Sequence, residues 1–537
     1  MEQPHMYRPL LASIVCLVLL AIALKPSVVQ AQQGEPQARP NIIFAFADDW
    51  GRYASAYREA DRATINDVFE TPHFDSLAKQ GVLFWDAHVS SPSCSPSRTA
   101  VLTGRHFFRN GSGAQLHNPW TGDPEADPVK KLESYHTLLE DAGYHTGVTY
   151  KTHVSMHLFV SKDHQYNKAG GKVNAFSQFV SQAKTDDEMK GRKQQLLDMV
   201  RGNMQQFLAA REDGQPFCWY FSPTNPHRAW TQGSGKKLWG IDPDSLKGKM
   251  PAFVPDVHTI REDMADYLGE CKAFDEQIGV LIDELKKQGL YENTILVISG
   301  DHGAPGFPRG KTSLINFGSQ VPLLIVWPKG VANPGRRIDN PTNTIDLAPT
   351  FLEAAGLPVH QQMDGNSLLR ILKDGEAAGH TELGNEFIIT GRERHKVEAR
   401  AGHLPYPSRA IRTKDFLYIK NFKPDRWPQF DPPMSKGQRT HGDFDGGPTK
   451  AWYAENQSDP KFKTAMDYAW GLRPAEELYD LRNDVDQMIN LADDPKFAAV
   501  KTELAGKLMD VLITGEDPRV VGEGDAFDKP PYWKKNR

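Results

Sequence analysis

The first strong feature of the chain is an apolar run, Asn41-Ile-Ile-Phe-Ala-Phe-Ala47, that stops abruptly at Asp48-Asp49. A run without polar alternation marks a strand covered on both faces, as in a parallel sheet. Tyr144 to Tyr150, Pro216 to Phe221, Thr294 to Ser299 and Val321 to Trp327 repeat the pattern. The amphipathic stretches Leu132 to Ala142, Gln194 to Arg211 and Asp263 to Gln288 predict helices before several of these strands. Strand and helix in alternation predict an α/β fold with a large, mainly parallel sheet sandwiched by helices. From about Gly375 the texture changes to short strand-like pieces, Phe387 to Thr390, Ser408 to Arg412, Phe416 to Lys420 and Glu477 to Leu481, followed by an amphipathic helix, Phe497 to Leu512. This predicts a large α/β domain over residues 39–375, a smaller α+β domain over 376–515 and a polar tail over 516–537.

In open α/β sheets the ligand crevice lies beyond the carboxyl ends of the strands. Four apolar runs end in polar residues suited to chemistry: Asp48 and Asp49, Lys151 and His153, Asn225 and His227, Asp301 and His302. One such ending means little, because a polar residue must follow any strand. Four converging on one edge predict a site.

Charge and cysteine content narrow the class. In 537 residues, 63 basic and 68 acidic side chains leave a net charge of −5 without a long like-charge block, which gives no footing for nucleic acid. Arg8, the apolar stretch Leu10 to Leu24 and Val29-Gln30-Ala31 read as a signal peptide over residues 1–31, cleaved after Ala31. About fifteen apolar residues fall short of the roughly twenty that span a bilayer, so a secreted or periplasmic protein without a stable membrane anchor is expected. The cysteines that remain, Cys94, Cys218 and Cys271, allow one disulfide at most. Cys218 lies in an apolar run, which favours two buried thiols over a bridge.

The densest signal is Ser93-Cys94-Ser95-Pro96-Ser97-Arg98-Thr99-Ala100-Val101-Leu102-Thr103-Gly104-Arg105. Pro96 suits a first helical turn and Gly104 a helix end, so Cys94 is placed at a helix N-terminus, where backbone N–H groups favour negative charge, with Arg98 one turn on. Cys94-x-Pro96-x-Arg98 with Leu102-Thr103-Gly104-Arg105 resembles the signature of the type I sulfatases of the alkaline phosphatase superfamily. The resemblance spans about Arg39 to Leu491 and implies an alkaline-phosphatase-like fold. It also implies that a maturation enzyme converts Cys94 to formylglycine (3-oxoalanine). A hydrated aldehyde carries two hydroxyls on one carbon, one to attack sulfur and one to eject sulfate afterwards, an exit that a sulfated serine lacks.

Three carboxylates from two strand ends, Asp48, Asp49 and Asp301, make an oxygen-rich cage for a hard divalent cation that would also meet an oxygen of residue 94. The resemblance implies one Ca²⁺ per chain held by Asp48, Asp49, Cys94, Asp301 and His302. His302 is the departure, since imidazole is a commoner ligand of zinc. Lys151-Thr152-His153 is similar to the family's Lys-x-His element, which implies a sulfate-binding lysine and a histidine that deprotonates the hydrate. Asn225-Pro226-His227 resembles the element that supplies a proton donor to the leaving alcohol, and Lys311 the second sulfate-binding lysine. Gly391-Arg392-Glu393-Arg394-His395 and Pro424-Asp425-Arg426-Trp427 combine the groups that grip an acidic sugar, so Arg392, Arg394, His395 and Arg426 are expected at the substrate. These segments look closest to bacterial sulfatases grouped near the heparan N-sulfatases. The expected activity is sulfate-ester hydrolysis on a polysaccharide or oligosaccharide. The alternatives are a sulfamidase, cleaving N–S bonds, and a phosphoesterase of the same superfamily, which would carry an unmodified Ser or Thr nucleophile and a second metal site.

Overall fold

The computed structural model describes residues 39–159, 164–169, 176–374, 384–432, 442–522 and 524–532. The segment read as a signal peptide, residues 1–31, lies outside them. Among the described residues no helix is long and apolar enough to cross a membrane.

The strands β1 (Asn41–Ala47), β2 (Val82–Phe84), β3 (His145–Tyr150), β4 (Phe217–Ser222), β5 (Thr294–Gly300), β6 (Leu323–Val326) and β7 (Arg336–Ile338) form a seven-stranded sheet in the order β3-β4-β1-β5-β6-β2-β7. All neighbours pair parallel except across β6. The short strands β2 and β7 were not legible as apolar runs; Arg336 and Arg337 in β7 are partly or fully exposed at the sheet edge.

Alternation along β1 explains why its run is apolar throughout. Ile43, Ala45 and Ala47 pack into one core with α2 (Asp186–Ala209) and α3 (His258–Lys287), whereas Ile42, Phe44 and Phe46 pack into another with α1 (Cys94–Thr103). A polar residue at any of these positions would be buried without water. Helix α2 begins earlier than its periodicity indicates, because the Thr185 side chain accepts from Glu188 N and Asp186, Asp187 and Glu188 sit at the positive end of the helix dipole.

The register aligns the strand ends. Ala47 stands beside Gly300, and Tyr150 beside Ser222, so the residues that follow β1, β5, β3 and β4 emerge in one row. Cys218 and Cys271 are free, buried thiols on the sheet and on α3.

A second, antiparallel sheet follows: β8 (Ile388–Arg392), β9 (Ser408–Arg412), β10 (Phe416–Asn421) and β11 (Glu476–Asp480), in that order. Helix α4 (Ala498–Thr514) covers it with Leu504, Leu508 and Leu512, spaced one turn apart against Ile389, Ile411, Tyr418 and Leu478. Residues 39–537 make one compact unit, and β8 touches the Cys94 region directly: Gly391 N donates to Ser90 O at 3.0 Å. A Cβ at Gly391 would lie 2.7 Å from the Phe107 ring and 2.7 Å from Ser408 O, so this approach requires glycine. The described residues of the polar tail are bonded to the body. Arg409 pairs with Asp517, and Tyr532 O accepts from Gln115 at 3.0 Å and from Arg394 at 2.8 Å.

Candidate active site

Cys94 opens α1 and is 2% exposed. Ser93 before it is extended, Ser97 N donates to Ser93 O at 2.9 Å, and Gly104 closes the helix with φ 65°, a conformation glycine adopts freely. The N–H groups of the first turn therefore lie at the same helix end as the side chain at position 94.

Arg98, on the next turn, points behind the cage rather than into open space. Its Nε donates to Asp301 Oδ2 at 2.9 Å and its Nη1 to Ser222 Oγ at 2.6 Å, and Nη2 stands 3.5 Å from Asp48 Oδ1. One buried guanidinium thus aims two carboxylates that come from different strands. Asp49 N closes the same link by donating to Asp301 Oδ1 at 2.7 Å. Asp49 has φ 65°, unusual for a residue with a side chain and typical of functional positions.

The ligand atoms of Asp48, Cys94, Asp301 and His302 lie within 4.8 Å of one another, as do those of Asp48, Asp49 and His227. Among the described residues, Asp48 Oδ1 and Asp49 Oδ2 are buried without a hydrogen bond. Orphaned carboxylate oxygens are costly unless something binds them, and an oxygen-rich set of this kind fits a hard divalent cation. Burial pushes the Asp301 carboxyl up to about 7. Burial would also raise Asp48 and Asp49, but Lys151 and Lys311 respectively lead the charges that hold them well below the usual range. His302 Nδ1 donates to Gly303 O at 3.1 Å, and its Nε2 faces Asp49 Oδ1 at 3.0 Å and Cys94 Sγ at 3.4 Å. Although burial opposes it, Asp301 and Asp49 keep this imidazole protonated well above its ordinary range.

Two ammonium groups face Cys94. Lys151 pairs with Asp48, and Lys311 Nζ lies 3.0 Å from Asp49 Oδ1 and 3.3 Å from Asp445 Oδ2. Burial alone would raise the Cys94 thiol; Lys151 and Lys311 outweigh it and bring the thiol well below its ordinary value, so the pocket favours an anion at this position. His227 is partly exposed, with Nε2 3.9 Å from Asp49 Oδ2. His153 Nε2 meets His117 Nδ1 at 2.9 Å.

Of the four residues expected at the substrate, His395 reaches the nucleophile's neighbour: its Nδ1 lies 2.8 Å from Ser93 Oγ. The three guanidiniums are committed elsewhere. Arg392 donates to Asp443 Oδ2 at 2.8 Å and Thr312 O at 2.8 Å; Arg394 to Gln115 Oε1 and His403 O, both at 2.7 Å; Arg426 to Asp528 Oδ2 at 2.7 Å. They hold loops around the site.

Sequence reasoning missed His117, Lys396 and Asp445. Lys396 donates to Asp445 Oδ1 at 2.7 Å, so Asp445 is shared by two ammonium groups. No local spacing marks these residues, because each reaches the site by tertiary contact alone. Replacing Asp445 by Asn is expected to loosen Lys311 and raise KM about tenfold, about 1.4 kcal/mol, with restoration by Glu. Steady-state kinetics on the three proteins checks this, and an unchanged KM in the Asn variant would assign Lys311's placement to Asp49 alone.

The model of the family described as Sulfatase matches residues 40–357, more than half the chain. The chain belongs to the sulfatase family. It is a sulfuric ester hydrolase of the type I group in the alkaline phosphatase superfamily. A second family model, N-sulphoglucosamine sulphohydrolase, C-terminal, matches residues 311–434 of this sulfatase, a span that runs from Lys311 through β8 and His395. The N-sulphoglucosamine sulphohydrolase of Homo sapiens is 28% identical over 525 residues, covering 92% of this chain and 94% of that protein. An ulvan-active sulfatase of Formosa agariphila is 24% identical over 553 residues, covering 97% and 84%. The fold of this sulfatase matches the crystal structure of Ps i-CgsB in complex with k-i-k-neocarrahexaose with a TM-score of 0.57, at 22% identity, covering 92% of this chain and 95% of that one.

Proposed function

We propose that this sulfatase hydrolyses sulfate esters of a sulfated polysaccharide or oligosaccharide, with Cys94 converted to formylglycine as its nucleophile. The observation that carries the reading is the packing of Asp48, Asp301, His302, Lys151 and Lys311 around the side chain at position 94, at a helix N-terminus. One hydroxyl of the hydrated aldehyde gives its proton to solvent water and attacks sulfur; the S–O bond to the alcohol breaks, and His227 gives the departing alcohol a proton. His153 then takes the proton of the second hydroxyl. The carbonyl re-forms as the C–O bond to the sulfuryl group breaks, sulfate leaves, and water restores the hydrate. Lys151 and Lys311 neutralise sulfuryl oxygens throughout, where charge develops. Arg98 fixes the carboxylates. Asp48, Asp49, Asp301 and His302, with an oxygen of modified residue 94, would hold one calcium ion, which would supply Lewis-acid polarisation of a sulfuryl oxygen.

The reading includes a formylglycine-generating maturation enzyme as partner and export by residues 1–31, and it takes 39–375 as the catalytic domain and 376–515 as a C-terminal subdomain. The match of residues 311–434 to the sulphohydrolase C-terminal family, together with the Homo sapiens relative, favours one second reading, cleavage of an N-sulfate on glucosamine. Both reactions transfer the same sulfuryl group. Desulfation of a panel of defined oligosaccharides carrying single O- or N-sulfates, read by mass spectrometry, separates the two. Release from O-sulfated members supports the first reading, release from N-sulfated members alone the second, and release of phosphate from aryl phosphates in preference to either rejects both.

A further inference from the structure

We propose that His117 is a positioning residue for His153, holding its ring so that Nδ1 is the bare nitrogen that receives the hydrate's proton. The inference rests on the role given to His153 above. Two observations carry it. His153 Nε2 and His117 Nδ1 stand 2.9 Å apart, so one of them donates to the other. His153 Nδ1 is buried and has no hydrogen-bond partner among the described residues. A buried N–H left without an acceptor costs about 1–3 kcal/mol, more than a lone pair left without a donor, so the ring proton belongs on Nε2, donated to His117. That leaves Nδ1 with its lone pair available.

His117 is itself anchored to the nucleophile's helix: its N donates to Ser95 Oγ at 3.2 Å, one residue after Cys94. Both histidines hold left-handed backbones, φ 61° for His117 and 54° for His153, and Asn118 follows at 45°. Such conformations persist only where surrounding structure enforces them, and they cluster at functional sites. The two imidazoles thus join the loop after β3 to the first turn of α1, with ring centroids 4.8 Å apart. A base and its orienting partner in this relation follow the logic by which a neighbouring group fixes an imidazole's tautomer in other hydrolases.

The backbone conformation sets the choice of variants. Glycine tolerates φ 61° and removes the ring; asparagine tolerates it and places a carbonyl oxygen near the position of Nδ1. With 4-nitrophenyl sulfate as substrate, His117→Gly is expected to lower kcat about thirtyfold with KM within twofold, and His117→Asn to stay within about threefold of the parent. The double variant His117→Gly/His153→Gly is expected to be no slower than His153→Gly alone, because the two residues act as one unit. Histidine ¹⁵N NMR of the resting protein, which needs no turnover, is expected to show His153 protonated at Nε2. A His153 proton on Nδ1, parental kcat in His117→Gly, or losses that multiply in the double variant would each overturn the inference. Parental kcat in His153→Gly would instead remove the role of His153 on which it rests.

Discussion

Replacing Cys94 by Ala is expected to abolish sulfate release, with kcat/KM at least about four orders of magnitude down. The magnitude follows from the chemistry: alanine carries neither a hydroxyl nor a thiol at position 94, so binding without that nucleophile is all that remains. Alanine fills most of the space of a side chain that is 2% exposed, so thermal unfolding should move little. Cys94→Ser is the sharper version. Serine can attack once but has no second hydroxyl on the same carbon, so the expected result is a protein sulfated at position 94 and stalled, visible in the mass of the active-site peptide. The same measurement on active parental protein should find the aldehyde. Full activity from a preparation whose residue 94 is entirely unmodified cysteine would end this account.

Stripping divalent ions is expected to have the second largest effect. Dialysis against a chelator should lower kcat/KM about a thousandfold, about 4 kcal/mol, and added calcium should restore it. The carboxylate cage gives the physical reason. Asp48, Asp49 and Asp301 are packed at zero exposure with orphaned oxygens on two of them among the described residues, and Arg98, Lys151 and Lys311 are the cations that face them. Without the ion the ammonium groups stay drawn to the carboxylates, as in the Lys151–Asp48 and Lys311–Asp49 pairs, and their pull on a sulfuryl group is weakened. The melting temperature should fall with activity and rise again with calcium, since an ion bound by the folded state alone stabilises it. Restoration by zinc but not calcium would show that His302 sets the metal preference. Asp301→Ala should mimic chelation in a form that calcium cannot rescue.

Much of this architecture is legible in the chain because burial on both faces leaves a plain mark. Asn41 to Ala47 reads as a covered parallel strand and is one, and the polar residues after it and after β3, β4 and β5 are those that the register brings into one row. Ser93 to Gly104 announces its helix through a proline in the first turn and a glycine at the end. What could not be read is which charges are already spent. Arg392, Arg394 and Arg426 carry the chemistry that grips an acidic sugar, but each is also bonded within the fold, to Asp443, Gln115 and Asp528, which lie 51, 279 and 102 residues away. His117 and Asp445 fail to register for the same reason: ion pairs and imidazole pairs between distant segments leave no periodicity.

The contact of β8 with the nucleophile's flank has a practical consequence for anyone wishing to retarget this enzyme. Gly391 lies against Ser90, and His395 touches Ser93, so the antiparallel sheet is a wall of the reaction chamber, not an appendage beside it. Grafting a foreign sheet onto the parallel one at residue 375 would disturb the flank of Cys94 along with the loops that carry specificity.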